Sequence, residues 1–207
     1  MNIKIVKLFQ SSLFQLKSFI KKIVKTKKNI DKEKIKDICM SAVIHDPWFE
    51  QNLIYIEKVD NKWYDLKIIN EDSGLWYPIK VEFANIEEEY HLSCKESLVF
   101  SLTGIDPEHL TKNSHWSKII DVIKSNNIQE HSDVFYIVLD VKEKENIIIH
   151  TLKSLKNIKI NMNHFPFMIK WSKNNDFDKD KVISTKELLN KFQELIILFE
   201  ENKKKEQ

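Results

Sequence analysis

The sequence contains no arginine; all 33 basic residues are lysine. Lysine, isoleucine and asparagine are abundant together, as an AT-rich genome would produce. Glycine is nearly absent, at 2 residues, and proline is low, at 4. Collagen-like, Gly/Pro-rich low-complexity and linker-rich architectures are therefore excluded. The two cysteines, Cys39 and Cys94, lie far apart. They make neither a disulfide framework nor a zinc pattern, which points to a reducing, cytoplasmic setting. No uninterrupted apolar run is long enough to span a bilayer. The start lacks the charged region, apolar run and small-residue cleavage site of a signal peptide.

What remains suits one domain. The chain has 207 residues, 42% hydrophobic and 31% charged, enough apolar material for one core. Its net charge of +2 is unevenly placed. Lys4, Lys7, Lys17, Lys21, Lys22, Lys25, Lys27 and Lys28 precede the first acid, Asp31. Residues 1–44 read as a basic helical segment and 45–207 as the main body.

The periodicity places Ile5, Phe9, Leu13, Leu16, Ile20 and Ile23 on one face of a helix over 3–24. Its lysines are read as solvated or as a phosphate-binding arm, ahead of a lipid-facing role. A second helix runs from Asp31, its cap, to about Ile44, and Asp46-Pro47 ends it. The period then changes to two. Leu53–Glu57 reads as a strand, and Lys62–Asn70 with Leu75–Ala84 as a hairpin. A helix is predicted from about Ile86 to Leu102, stopped by Gly104, and another near Ser114–Lys124. Val134–Val141 suits a buried central strand. Asn146–Leu152 and Phe165–Trp171 read as strands. A helix from Ser184 to about Asn202 opens with a capping box, Ser184 and Glu187. The order predicts a mixed α/β (α+β) domain with helices flanking a sheet.

The hairpin carries the chemistry. A four-residue loop pairs Asn70 with Leu75, which sets Asp65 opposite Lys80 with Cβ atoms about 5 Å apart. One face then holds Trp63, Asp65, Lys67 and Ile69 against Glu82, Lys80, Pro78 and Trp76. The other holds Tyr64, Leu66 and Ile68 against Val81, Ile79 and Tyr77. An amphipathic hairpin with its charged face in water explains this pattern. So does a metal-dependent phosphodiester site, which needs carboxylates for a divalent ion and a nearby lysine. Glu82 lies diagonally from Asp65 as a second carboxylate.

The stretch W-Y-D-L-K-I … Y-P-I-K-V resembles the D…(D/E/N)-x-K signature of the PD-(D/E)xK nuclease superfamily. More specifically, it looks like a group of type II restriction endonucleases with an asparagine variant, P-V-N-I-K. Ser93-Cys94-Lys95-Glu96-Ser97-Leu98, leading to Leu102-Thr103-Gly104, resembles their S-x-K-x-x-L…A-L-T-G helix. Phe135-Tyr136-Ile137-Val138 and Asn163-His164-Phe165-Pro166-Phe167 … Trp171 … Asn174 resemble their Y-Y-F-L-V and N-L-P-F-Q…W…N segments. The likeness covers roughly residues 45–175. It implies a restriction-endonuclease-like sheet flanked by helices, Mg2+ as cofactor, and double-stranded DNA as substrate, cut by a homodimer. Asp65 becomes the first metal ligand and Lys80 the catalytic lysine. Pro78 departs from the pattern: it stands where the superfamily has an acid or asparagine, so Glu82 must substitute or the site is weakened. Glu50 is a candidate additional ligand, and Lys67 and Lys95 are candidate DNA contacts. In a second register, Asp65-Leu66-Lys67 is the motif itself and needs Glu50 or Asp60 upstream. Without arginine, bases would be read by Lys, Asn or Gln.

Another constellation competes. Asp176, Asp178, Asp180 and Glu187 fall at positions 1, 3, 5 and 12 of an EF-hand-like loop, with Ile183 at position 8. This gives an alternative reading as a calcium-binding interaction protein. Lys181 stands where that loop needs glycine, and the loop occurs once. The seven histidines are scattered and form no close ligand pair. Ser93 and Cys94 beside Lys95 lack a paired base for nucleophilic work. The five tryptophans are read as core.

Overall fold

The computed structural model describes residues 3–27, 29–86, 89–90, 94–107, 116–125, 127–130, 132–143, 145–154, 158–159, 168–170 and 182–205. Helix α1 (Ile3–Val24) buries Phe9, Leu13, Leu16 and Ile20 of the expected stripe together with Val24, while Ile23 is half-buried. Lys7, Lys21 and Lys22 on its other sides are exposed, as is Lys25 just after it. Helix α2 (Lys32–His45) starts where Asp31 accepts the Lys34 N–H at 2.8 Å. It ends at Asp46, which caps a further short helix, α3 (Pro47–Gln51), that periodicity had not shown.

Five strands form the main sheet: β1 (Ile54–Lys58), β2 (Leu66–Asn70), β3 (Trp76–Ala84), β5 (Phe135–Asp140) and β6 (Ile147–Thr151), in the order β1-β2-β3-β5-β6. All neighbours are antiparallel except β3 and β5, which run parallel. Parallel neighbours need a crossover. Here α4 (Lys95–Thr103) and α5 (Trp116–Ser125) lie within it. Strands β4 (Glu89–Tyr90), β7 (Ile158–Lys159) and β8 (Met168–Lys170) form a second, small sheet in the order β4-β8-β7. Helix α6 (Thr185–Lys205) follows.

Both faces of the main sheet are covered. On the first, α1 and α2 pack on Leu66, Ile68, Ile79, Val81, Ile137 and Ile149. On the second, α4, α5 and α6 pack on Tyr136, Val138 and Ile148. The sheet is therefore mixed and flanked by helices, as expected. Buried residues of α1 and α2 share one core with it. At roughly 1.5–3 kcal/mol for each fully buried large side chain, α1 is an integral layer.

Two expectations are corrected. The helix predicted from Ile86 starts only at Lys95, because Glu89 and Tyr90 pair with Lys170 and Ile169 of β8 instead. Sequence partners eighty residues apart are invisible to local periodicity. The strand predicted from Lys62 starts at Leu66, since residues 60–65 bend and Asn61 takes a positive φ of 60°.

Candidate active site on strands β2 and β3

The hairpin register is the one expected. Ile69, Ile68, Lys67 and Leu66 pair with Trp76, Tyr77, Pro78 and Ile79. The Asn70 N–H donates to the Leu75 carbonyl at 2.9 Å, which makes that a hydrogen-bonded pair. By alternation Lys67–Pro78 is a non-bonded pair. The missing N–H of Pro78 thus costs β2 nothing, and β3–β5 pairing begins one residue later, at Ile79–Phe135. That is how a proline sits in an interior strand.

At Asp65 the ladder changes character. Its N–H donates to the Ile79 carbonyl at 2.9 Å. Its Oδ2 accepts the Val81 N–H at 2.8 Å. Its Oδ1 meets Lys32 Nζ at 3.0 Å. A side-chain carboxylate thereby caps the end of the β2–β3 ladder. Because the ladder stops here, Trp63 and Tyr64 do not alternate across the sheet as predicted. Both rings join Trp76 and Phe100 on the second face: Trp63–Phe100 centroids are 5.9 Å apart and Tyr64–Trp76 centroids 5.8 Å. Trp63 Nε1 donates to Asp106 at 2.8 Å.

Lys80 and Glu82 rise from β3 on the second face, opposite Tyr136 and Val138 of β5. Their charged ends are 3.9 Å apart. Side-chain exposure is 14% for Lys80 and 15% for Glu82. The charged side of the hairpin is therefore half-buried and not a water-facing surface. Asp65 does not face Lys80 as predicted. Its carboxylate turns toward the N-terminus of α2, and Lys80 takes Glu82 as its ion partner. The physical reason is the unsatisfied Val81 N–H, which draws the carboxylate into the plane of the sheet.

The other candidates fall into place around this set. Lys67 lies over the Trp76 ring at 5.1 Å and 3.9 Å from Glu57. Lys95 is buried at the start of α4. Glu50 is exposed on α3. Cys94, the cap residue of α4, has its thiol pushed up to about 12 by burial, with nearby Lys80 acting the other way. At neutral pH it stays a thiol and no nucleophile. Ser93 lies outside the described residues, as do Asp176, Asp178 and Asp180 and the segment 163–167. Glu187 is committed to the capping box: its carboxylate accepts from the Ser184 N–H and hydroxyl, each at 2.8 Å.

Sequence reasoning missed two groups. One is Lys32, thirty-three positions from its partner Asp65; its only signal was its place just after the Asp31 cap. The other is a buried polar network at the far end of the sheet. Lys153 Nζ donates to the Glu130 carbonyl at 2.9 Å and to Thr185 Oγ1 at 2.7 Å. Asp133 accepts the N–H groups of Val134 and Lys153. Burial pushes the Asp133 carboxyl up and the Lys153 amine down, each opposed by the other's charge. Both line a cavity of about 130 Å³ with Phe9, Tyr77 and Phe135.

No family model matches this chain, and no curated protein matches it. Among the described residues, no three His, Cys, Asp or Glu side chains form a ready metal-binding group. No helix among them is long and apolar enough to cross a membrane.

Proposed function

We propose that the chain is a Mg2+-dependent endonuclease of restriction-enzyme type, acting on double-stranded DNA. The observation that carries this reading is the bond from the Val81 N–H to Asp65. It seats one carboxylate on the residue between Lys80 and Glu82, whose Cα atoms are each about 3.8 Å from that of Val81. Asp65 thus reaches the backbone of β3 between Lys80 and Glu82, whose side chains pair with each other on the second face. The donor set fits the ion in kind. Mg2+ is a hard cation that takes one or two carboxylates and completes its shell with substrate phosphate oxygens and water. Asp65 and Glu82 would hold it, Glu82 doing what the side chain of Pro78 cannot. When bound, the ion would neutralise charge developing on the phosphate. Lys80, half-buried, holds a positive charge where an attacking water or a phosphate oxygen would be oriented. The exposed lysines of α1 suit sequence-independent phosphate contact. A homodimer follows for an enzyme that cuts both strands of a symmetric site.

The test is cleavage of supercoiled plasmid in Mg2+. Wild-type protein cuts; Asp65→Asn and Lys80→Ala lose activity by about 100-fold. Folded wild-type protein that leaves every duplex intact contradicts the reading. A second reading, a weakened nuclease-fold protein that binds DNA without cutting, is favoured by the Lys32–Asp65 ion pair together with Pro78. Salt-sensitive duplex binding without cleavage is its signature.

A further inference from the structure

The Asp65 carboxylate already has a cation. Lys32 Nζ stands 3.0 Å from Oδ1, while Oδ2 is committed to the Val81 N–H. A divalent ion on Oδ1 would bring two cationic centres within a few ångströms of each other, in a place where Asp65 is only 14% exposed. Repulsion at that distance is only weakly screened by salt. Lys32 is poorly anchored by comparison. It is the first residue of α2, 42% exposed, on a flexible four-carbon stem. The connection before it is strongly basic, with Lys25 and Lys27 both exposed.

We propose that Lys32 is the resident counter-ion of Asp65 and competes with a divalent cation for that carboxylate. It keeps the site neutral until a metal arrives, then swings out to the surface, where a DNA phosphate is its natural partner. The inference rests on the nuclease reading, because it needs a metal at Asp65. Mg2+ and Mn2+ share the hard-oxygen preference that Asp65 satisfies.

Mn2+ binding to the full chain, measured by calorimetry without DNA, tests it. A half-exposed ion pair is worth up to about 1 kcal/mol, or roughly fivefold in affinity. Lys32→Gln should therefore bind Mn2+ about fivefold more tightly than wild type. Lys32→Arg, which keeps the charge, should bind as wild type does, and Asp65→Asn should lose the site. Equal affinity in wild type and Lys32→Gln, with the site still lost in Asp65→Asn, overturns the competition and leaves the nuclease reading standing. An equal gain in Lys32→Gln and Lys32→Arg overturns it too, since the effect would then be steric. Mn2+ binding that survives Asp65→Asn, or no binding in any form, overturns both. Thermal melting of each variant confirms the fold.

Discussion

The Asp65 carboxylate, one residue before β2 begins, accepts the Val81 N–H at 2.8 Å. A side chain thus completes a backbone ladder. Asp65 holds the hairpin together at the same point where it would hold a metal. Loss of activity on substituting it can therefore have two causes, and they must be separated.

Two substitutions separate them. Asp65→Ala leaves the N–H of fully buried Val81 without its acceptor, costing about 1–3 kcal/mol. Asp65→Asn keeps an amide oxygen there and loses mainly the half-exposed Lys32 pair, worth about 0–1 kcal/mol. Urea unfolding should rank them in that order. Equal losses would mean that the Val81 bond contributes nothing.

Gly104 ends α4 with φ at 71°, in the left-handed region. A Cβ there would meet Ser132 Oγ at 2.6 Å. Gly104→Ala should lower stability by about 1–2 kcal/mol. Thermal melting that matches wild type would contradict the assigned cap.

Glu33 ties α2 to β1: it meets Lys36 at 2.7 Å and Lys58 at 2.8 Å. Its hydrogen bonds to Lys36 and Lys58 lower its carboxyl from 4.5 to about 2. A depressed folded-state value means the unfolded chain binds the proton more tightly. The contribution is therefore fully present above pH 4.5 and lost as pH falls toward about 2. Glu33→Gln should lower stability at neutral pH, leave it nearly unchanged near pH 2, and so flatten the acid limb of the stability–pH curve in that window. An unaltered acid limb would contradict the pairing.

Lys153 is 4% exposed and donates to the Glu130 carbonyl and Thr185, and its charge and that of buried Asp133 act on each other. Removing one partner of a buried charged pair costs about 3 kcal/mol. Lys153→Met should show that loss in denaturant unfolding. Restoring neutrality with Asp133→Asn in the same chain should recover part of it. No recovery would mean that the hydrogen bonds, not the charges, dominate.

Much of this was legible in the residues. The 3.6-residue spacing of Phe9, Leu13, Leu16 and Ile20 gave α1 its buried face, and the Asn70–Gly74 turn set the register of β2 on β3. What was not legible depends on distant partners. Tyr90 pairs with Ile169, so a strand stands where a helix was predicted. The second sheet face is covered by α4 and α6, so Lys80 and Glu82 are half-buried although alternation alone put them in water. Asp65 follows Val81 and Lys32 because an N–H at the end of a ladder needs an acceptor, and no local pattern records that need.

The central claim is that Glu82 supplies the carboxylate that Pro78 cannot. Single-turnover cleavage of duplex DNA by Glu82→Gln, in saturating Mg2+, tests it most directly. The glutamine keeps the shape of the side chain and removes its charge. Wild-type protein is predicted to cut, with the variant slower by at least about 100-fold and both equally stable to urea. Cleavage by Glu82→Gln at the wild-type rate would contradict the account.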